Sequence, residues 1–303
     1  MRIAYIGLGA LGAPIAMNLL RDGHELAVTD LDRAAGDELV AAGARWADDP
    51  ADAAAGADVA FTCLPSTRAI EAVVAGERGL IEGLAEGAVW IDNSTNDHDL
   101  IVDLAGRLAA RGIRTIEAPV TGGVHLAKTG GVTVILGGDA DLVEAHMPLF
   151  RLIGNRQFRV GDVGQASKIK AITNMLAFIH LVADGEAMML AKQAGIDLGT
   201  AWQVIQASSG NSFVHETEGQ VILSGSYMID FTFDLALKDL GFNLAMGEEY
   251  GVPLELATAV RDQYLKAKER YGGDAQSPEI VRLLEDACGT ELRAPGFPER
   301  IEA

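Results

Sequence analysis

Cysteine is nearly absent: Cys63 and Cys288 are the only two in 303 residues. They lie far apart and have no partner at zinc or disulfide-framework spacing, so a reduced, cytoplasmic setting is expected. Positive charge is also scarce. The 24 Lys and Arg face 43 Asp and Glu, giving a net charge of −19 that is shared almost evenly between the two halves. Nucleic acid and anionic membranes need a basic face, so neither is expected as a partner. No uninterrupted apolar run reaches the roughly 18 residues of a membrane span. The apolar start is broken by Gly7, Gly9, Gly12 and Pro14, which argues against a signal peptide. His24, His98, His125, His146, His180 and His215 never pair at a metal spacing such as HxxxH, so no metal is expected. No GxSxG nucleophile elbow occurs, and the cluster Ser208 to Ser212 reads as a helix stop.

What is present is the composition of an ordinary globular protein, 49% hydrophobic and 22% charged, long enough for one or two domains. Strands are predicted over 2–6, 25–29, 59–64, 88–92, 114–117, 132–136 and 158–160, alternating with Ala- and Leu-rich helical stretches such as 14–21 and 99–110. This rhythm predicts right-handed βαβ units in a mainly parallel sheet, a Rossmann-type α/β dinucleotide-binding domain over residues 1–162. Beyond Gly164 the strand signals cease. Ile169, Ile172, Leu176, Ile179 and Ala183 form the stripe of an amphipathic helix over 165–193. Further helices are predicted over 198–207, 232–250, 254–270 and 278–288. The expected fold is thus the α/β domain followed by an all-α domain, 163–292, joined by the long helix, with 293–303 as a loosely held Pro-rich tail. The apolar stripe of the long helix would want a partner, which suggests a homodimer or tetramer.

Gly7-Leu8-Gly9-Ala10-Leu11-Gly12 directly follows the first strand and opens a helix whose first turn tolerates Pro14. In such a loop the first glycine permits the turn, the second lets the backbone approach a pyrophosphate, and the third packs helix on strand. Amide groups at the helix start then bind the phosphates. Asp30 closes the second strand, where a carboxylate accepts from both ribose hydroxyls of NAD and repels the 2′-phosphate of NADP. NAD is favoured, and Arg33 close behind keeps NADP possible.

The glycine loop GLGALGAPIAMNLLRDGH, the DNST at 92–95, the APVTGG at 118–123 and the GQASKIKAITN at 164–174 together resemble the β-hydroxyacid dehydrogenases. That family includes 3-hydroxyisobutyrate dehydrogenase and tartronate semialdehyde reductase, with 6-phosphogluconate dehydrogenase a more distant relative. Lys170 and Asn174, four apart, project from one face of the predicted helix. Oxidising an alcohol needs a base for its proton, and a partly desolvated lysine can serve as base and, in reverse, as acid. The resemblance implies that role for Lys170, with Asn174 as its helper. Two departures stand out: Ala166 replaces the family's glycine, and Thr173-Asn174 replaces its Asn-Asn or Asn-Gln pair. Lys168 is the alternative base, but only Lys170 keeps the four-residue step to Asn174.

The resemblance further implies that Thr121, Gly122 and Gly123 bind the substrate carboxylate, as a backbone-rich turn can. It places Thr95 near the nicotinamide, Leu64-Pro65 over the cofactor ribose, and Lys238 of the KDL segment against cofactor or substrate. Phe233 is read as core or pocket wall, and His125 could line the pocket. The expected activity is hydride transfer between NAD and a small β-hydroxy acid, such as 3-hydroxyisobutyrate, or its semialdehyde. Alternatives are an NADPH-using semialdehyde, glyoxylate or imine reductase and, in another class, a non-catalytic NAD-binding sensor. Only seven lysines occur, and three of them, Lys168, Lys170 and Lys238, fall in the segments assigned to the cleft.

Overall fold

A computed structural model describes residues 1–301, in which the chain forms two compact units, Met1–Lys170 and the helical remainder from Ala171 onward. The first is built on strands β1 (Arg2–Ile6), β2 (Glu25–Thr29), β3 (Arg45–Trp46), β4 (Val59–Thr62), β5 (Val89–Asp92), β6 (Arg114–Glu117), β7 (Val120–Thr121), β8 (Val132–Gly137) and β9 (Gly154–Gly161). They form one sheet in the order β3-β2-β1-β4-β5-β6-β8-β7, with β9 on β8. The pairs from β3 through β6 are parallel; β8 runs antiparallel to β6 and β7. All seven strands predicted from sequence are present. The two that were not, β3 and β7, span two residues each, too few for any periodic pattern.

Central strands read as unbroken apolar runs because both their faces are covered. In β4 and β5 every residue is buried, and Tyr5 of β1 stacks on Phe61 of β4 with ring centroids 5.6 Å apart. β9 is mostly exposed, so its apolar signal was confined to Phe158 to Val160. At the carboxyl ends of the strands one register row runs Thr29, Ile6, Thr62, Asp92, Glu117 and, across β8, Gly137. Three polar residues of that row, Thr62, Asp92 and Glu117, are among the most buried in the protein.

The long helix spans Gln165–Gln193, as the periodicity predicts. Its first turn clusters with the sheet unit, so the break between units falls at Lys170 and Ala171, eight residues beyond the expected boundary. The stripe read from sequence stays largely in the open: Ile172 and Leu176 are exposed, while Phe178, Leu181, Met188 and Met189 enter the helical core. That core is completed by helices Leu198–Gln206, Phe213–Ser224, Phe233–Tyr250, Glu255–Tyr271 and Arg282–Cys288. Helix Phe213–Ser224 was missed because Ser208 to Ser212 serves two purposes. It ends one helix and caps the next, the Ser212 hydroxyl accepting from the His215 amide at 3.0 Å.

The segment expected as a loose tail is tied down as far as it is described; its last two residues lie outside the described ones. Arg293 bonds Glu285 at 2.9 Å and the Tyr227 hydroxyl at 2.7 Å. The Ala294 amide donates to the Leu223 carbonyl, and Phe297 meets the Trp202 ring edge-on. Proline content signals a lack of helix, not a lack of contacts.

Beneath Trp202 lies a buried polar cluster. His215 bonds Asp184 through Nδ1 at 2.6 Å and faces the Trp202 carbonyl through Nε2 at 2.9 Å. Burial opposes its charge, yet the Asp184 bond and the Trp202 carbonyl reverse this and raise its pKa. Glu218 stands near Asp184 with Oε2 out of solvent contact. Burial, and then the Asp184 charge, push its carboxyl from 4.5 up to about 8. The folded protein therefore holds this proton longer than the unfolded chain, a contribution present below the unfolded pKa and lost as pH rises through the folded one. Glu218→Gln, neutral at every pH, should flatten that decline. Thermal midpoints at about pH 5 and about pH 9 should fall further in the wild type than in the variant; equal falls would contradict the assignment.

Candidate active site

The glycine loop leaves β1 through Gly7, whose φ of +93° only glycine adopts readily. A side chain at Gly7 would strike the Cys63 carbonyl, and one at Gly12 the Gly7 carbonyl. Both glycines are thus explained by the chain itself. Gly9 is different: a Cβ there would meet nothing within 4 Å, and its φ is not in the left-handed range. No internal contact requires glycine at this position. The space above it suits the close approach of a pyrophosphate to the backbone, so the loop fits a dinucleotide.

Asp30 stands beside this loop. Its Oδ2 accepts from the Leu8 amide at 2.6 Å and its Oδ1 from the Asp32 amide at 2.9 Å. The carboxylate thus braces the loop, and each oxygen keeps a second lone pair for a ribose hydroxyl. Arg33, the residue that left NADP open, pairs with Asp37 at 2.9 Å, and its guanidinium carbon lies 4.4 Å from the Trp46 ring centre.

Leu64-Pro65 and the DNST segment are brought together by one bond, the Leu64 amide donating to Ser94 Oγ at 2.9 Å. Ser94 in turn donates to Asp92 Oδ1 at 2.6 Å, which also accepts from Thr62 Oγ1 at 2.7 Å. Burial raises the Asp92 carboxyl, and these donors oppose the rise. The same network fixes the backbone that leads into Thr95. Thr121 ends β7, paired in register with Thr133. Gly122 and Gly123 follow with φ of +126° and +85°, conformations that glycine adopts readily, and Gly122 stands at the N-cap of helix Gly123–Ala127. His125 sits against this turn, within 3.2 Å of where a Gly123 Cβ would be.

Lys170 lies in the second turn of the long helix with only 7% of its surface exposed, whereas Lys168 is half-buried. Asn174 follows one turn later on the same helix. Within the helical unit its side-chain amide donates to Asp239 Oδ2 at 2.6 Å. Asp239 is 1% exposed, and its other oxygen lies 2.9 Å from Lys238 Nζ. Asn243 donates to the Ala171 and Asp239 carbonyls, both at 2.9 Å, and so ties helix Phe233–Tyr250 to the long helix. Sequence reasoning assigned Lys238 and passed over Asp239; the KDL spelling was the only signal available. Phe233 is fully buried, edge-on to Tyr264, and belongs to the core.

Comparison with known proteins identifies the family. A family model described as the NAD binding domain of 6-phosphogluconate dehydrogenase matches residues 2–161. A second, described as "NAD-binding of NADP-dependent 3-hydroxyisobutyrate dehydrogenase", matches residues 164–284. The chain is 32% identical to 2-(hydroxymethyl)glutarate dehydrogenase of Eubacterium barkeri, over 96% of this chain and 97% of that one. It is 34% identical to 3-sulfolactaldehyde reductase of Escherichia coli, over 95% and 97%. It is also 31% identical to human cytokine-like nuclear factor N-PAC, of which it spans about half the length, 51%. Among solved structures, 3-hydroxyisobutyrate dehydrogenase of Salmonella typhimurium superposes with a TM-score of 0.87 at 26% identity, covering 93% of this chain and 99% of that one. The chain belongs to the β-hydroxyacid dehydrogenase family and is an NAD(P)-dependent dehydrogenase acting on CH–OH groups.

Proposed function

We propose that this enzyme transfers hydride between NAD and a small β-hydroxy acid, or its semialdehyde, with Lys170 as the general acid/base. The observation that carries this reading is the pairing on one helix of a nearly buried lysine and, one turn on, an asparagine whose amide is held by a buried carboxylate. The hydride chemistry would be supplied by the bound nicotinamide cofactor. Lys170 Nζ takes the proton of the substrate hydroxyl during oxidation and gives it back during reduction, a contribution of about 10²- to 10⁴-fold. Asn174 orients the same oxygen, and Asp239 restricts the rotamers that its amide can adopt. Thr121, Gly122 and Gly123 hold the substrate carboxylate, which fixes the reacting carbon relative to Lys170. Reduction of an aldehyde uses the same groups in reverse. The similarity to 3-sulfolactaldehyde reductase supports that direction as well.

NAD is the proposed dinucleotide because a carboxylate at Asp30, which braces the glycine loop, would repel a 2′-phosphate and Arg33 is engaged by Asp37 and Trp46. The exposed Ile172, Leu176 and Leu190 of the long helix are proposed to pack against a second copy of the chain.

Three outcomes test the reading. Lys170→Ala should lower kcat by about 10²- to 10⁴-fold with NAD affinity unchanged, assayed on 3-hydroxyisobutyrate, D- and L-glycerate, 3-hydroxypropionate, serine and threonate; full activity would contradict the assignment. Titration followed by protein fluorescence should show NAD binding about tenfold or more tighter than NADP, and the reverse order would remove Asp30 from its role. Gly9→Ala should keep the wild-type melting curve, since its Cβ meets no protein atom, yet weaken NAD binding by about tenfold or more. Normal binding by that variant would displace the pyrophosphate from this loop.

A further inference from the structure

We infer that Glu117 is the positioning residue for Lys170: its carboxylate, at the end of β6, fixes the first turn of the long helix and so sets where the lysine ammonium stands. This rests on Lys170 being the acid/base.

Glu117 is 1% exposed. Its Oε2 accepts from the Gly164 amide at 2.5 Å and the Ala166 amide at 3.3 Å. Its Oε1 accepts from the Ser167 amide at 3.0 Å and the Ser167 hydroxyl at 2.5 Å. The first amides of a helix have no partner within it, and an N-cap side chain one residue ahead usually satisfies one of them. Here a single carboxylate from a strand nearly fifty residues earlier satisfies three amides and a hydroxyl. All four are donors, so the ionised carboxylate, which only accepts, is the form that satisfies them. Burial raises its pKa and the bonds to Ser167, Gly164 and Ala166 oppose that rise. The negative charge also complements the positive end of the helix dipole.

The surroundings are shaped around this carboxylate. Gly137 of β8 is the register partner of Glu117, and a Cβ there would come within 2.5 Å of Oε2. Glycine at 137 leaves the room that the carboxylate occupies. Ser167 and Lys170 are three residues apart, hence on one face of the helix, and both are buried, at 3% and 7%. A slip of one residue in the helix start would rotate Lys170 by about 100° and move it about 1.5 Å along the axis. Proton transfer does not tolerate such a displacement. Glu117 also immediately precedes the segment from Ala118 to Gly123, so the carboxylate-binding turn and the lysine are referenced to the same strand end.

The test is Glu117→Gln, alongside Glu117→Asp and Lys170→Ala. Gln keeps the shape but turns an N–H group toward N–H donors. Its kcat should fall at least tenfold while the Kd for NAD, read by protein fluorescence, stays within twofold of wild type. Asp, which keeps the charge on a shorter arm, should recover part of that loss. A folded Gln variant with kcat within twofold of wild type would overturn the inference, as would a parallel loss of NAD affinity with no recovery by Asp. Should the Gln variant not fold, Ser167→Ala removes the hydroxyl donor alone; kcat should then fall threefold or more at unchanged Kd, and wild-type kcat would overturn the inference. If Lys170→Ala itself turns over normally, the acid/base assignment fails; if it is inactive while Glu117→Gln is not impaired, only the positioning role fails.

Discussion

Two carboxylates buried side by side at the carboxyl edge of a parallel sheet set the terms for the sheet unit. Asp92 and Glu117 are register partners, each at most 2% exposed. A buried charge is tolerated only when it is well supplied with hydrogen-bond donors. Asp92 draws its donors from Thr62 and Ser94, and Glu117 draws them from the start of the long helix. Satisfying the charges therefore orders the loop toward Thr95 and the first turn of the long helix, which leads into Lys170. The row of strand ends where an α/β ligand lies is in this way also the row that holds the surrounding segments still.

The helical unit repeats the arrangement with different residues. Asp239 is nearly inaccessible to solvent, and its oxygens are taken up by Asn174 and Lys238. Asn243 adds two bonds from the same helix. The long helix thus is bonded to a buried carboxylate on each side of the break between units, to Glu117 through Ser167 and to Asp239 through Asn174. Polar contacts of this kind are more directional than apolar packing, which suits residues whose placement matters to within about an ångström.

Much of this was legible in the sequence. Short, mostly apolar segments alternating with helical stretches pointed to the seven longer strands, and the 3.6-residue period to the long helix with its observed ends. The glycine loop was readable because Gly7, Gly9 and Gly12 stand at fixed intervals after a strand. The helix stripe was read as apolar and in want of a partner, and Ile172 and Leu176 do stand exposed, although periodicity marks a face without saying what covers it. Glu117 and Asp239 could not be found this way. Each is a single carboxylate with a partner about fifty or more residues away, Ser167 for Glu117 and Asn174 for Asp239, and no local spacing encodes such a contact. The end of the chain misled for a related reason: Arg293 and Phe297 are anchored by Glu285, Tyr227 and Trp202, which a Pro-rich composition does not reveal.

The central claim is that the Lys170 amine moves the proton. Adding small primary amines of graded basicity to the Lys170→Ala enzyme tests it most directly. The account predicts that turnover returns with amine concentration and rises with amine pKa once size is allowed for, because the free amine replaces the missing base. Residual turnover that is indifferent to every amine, at saturating NAD and substrate, would contradict it.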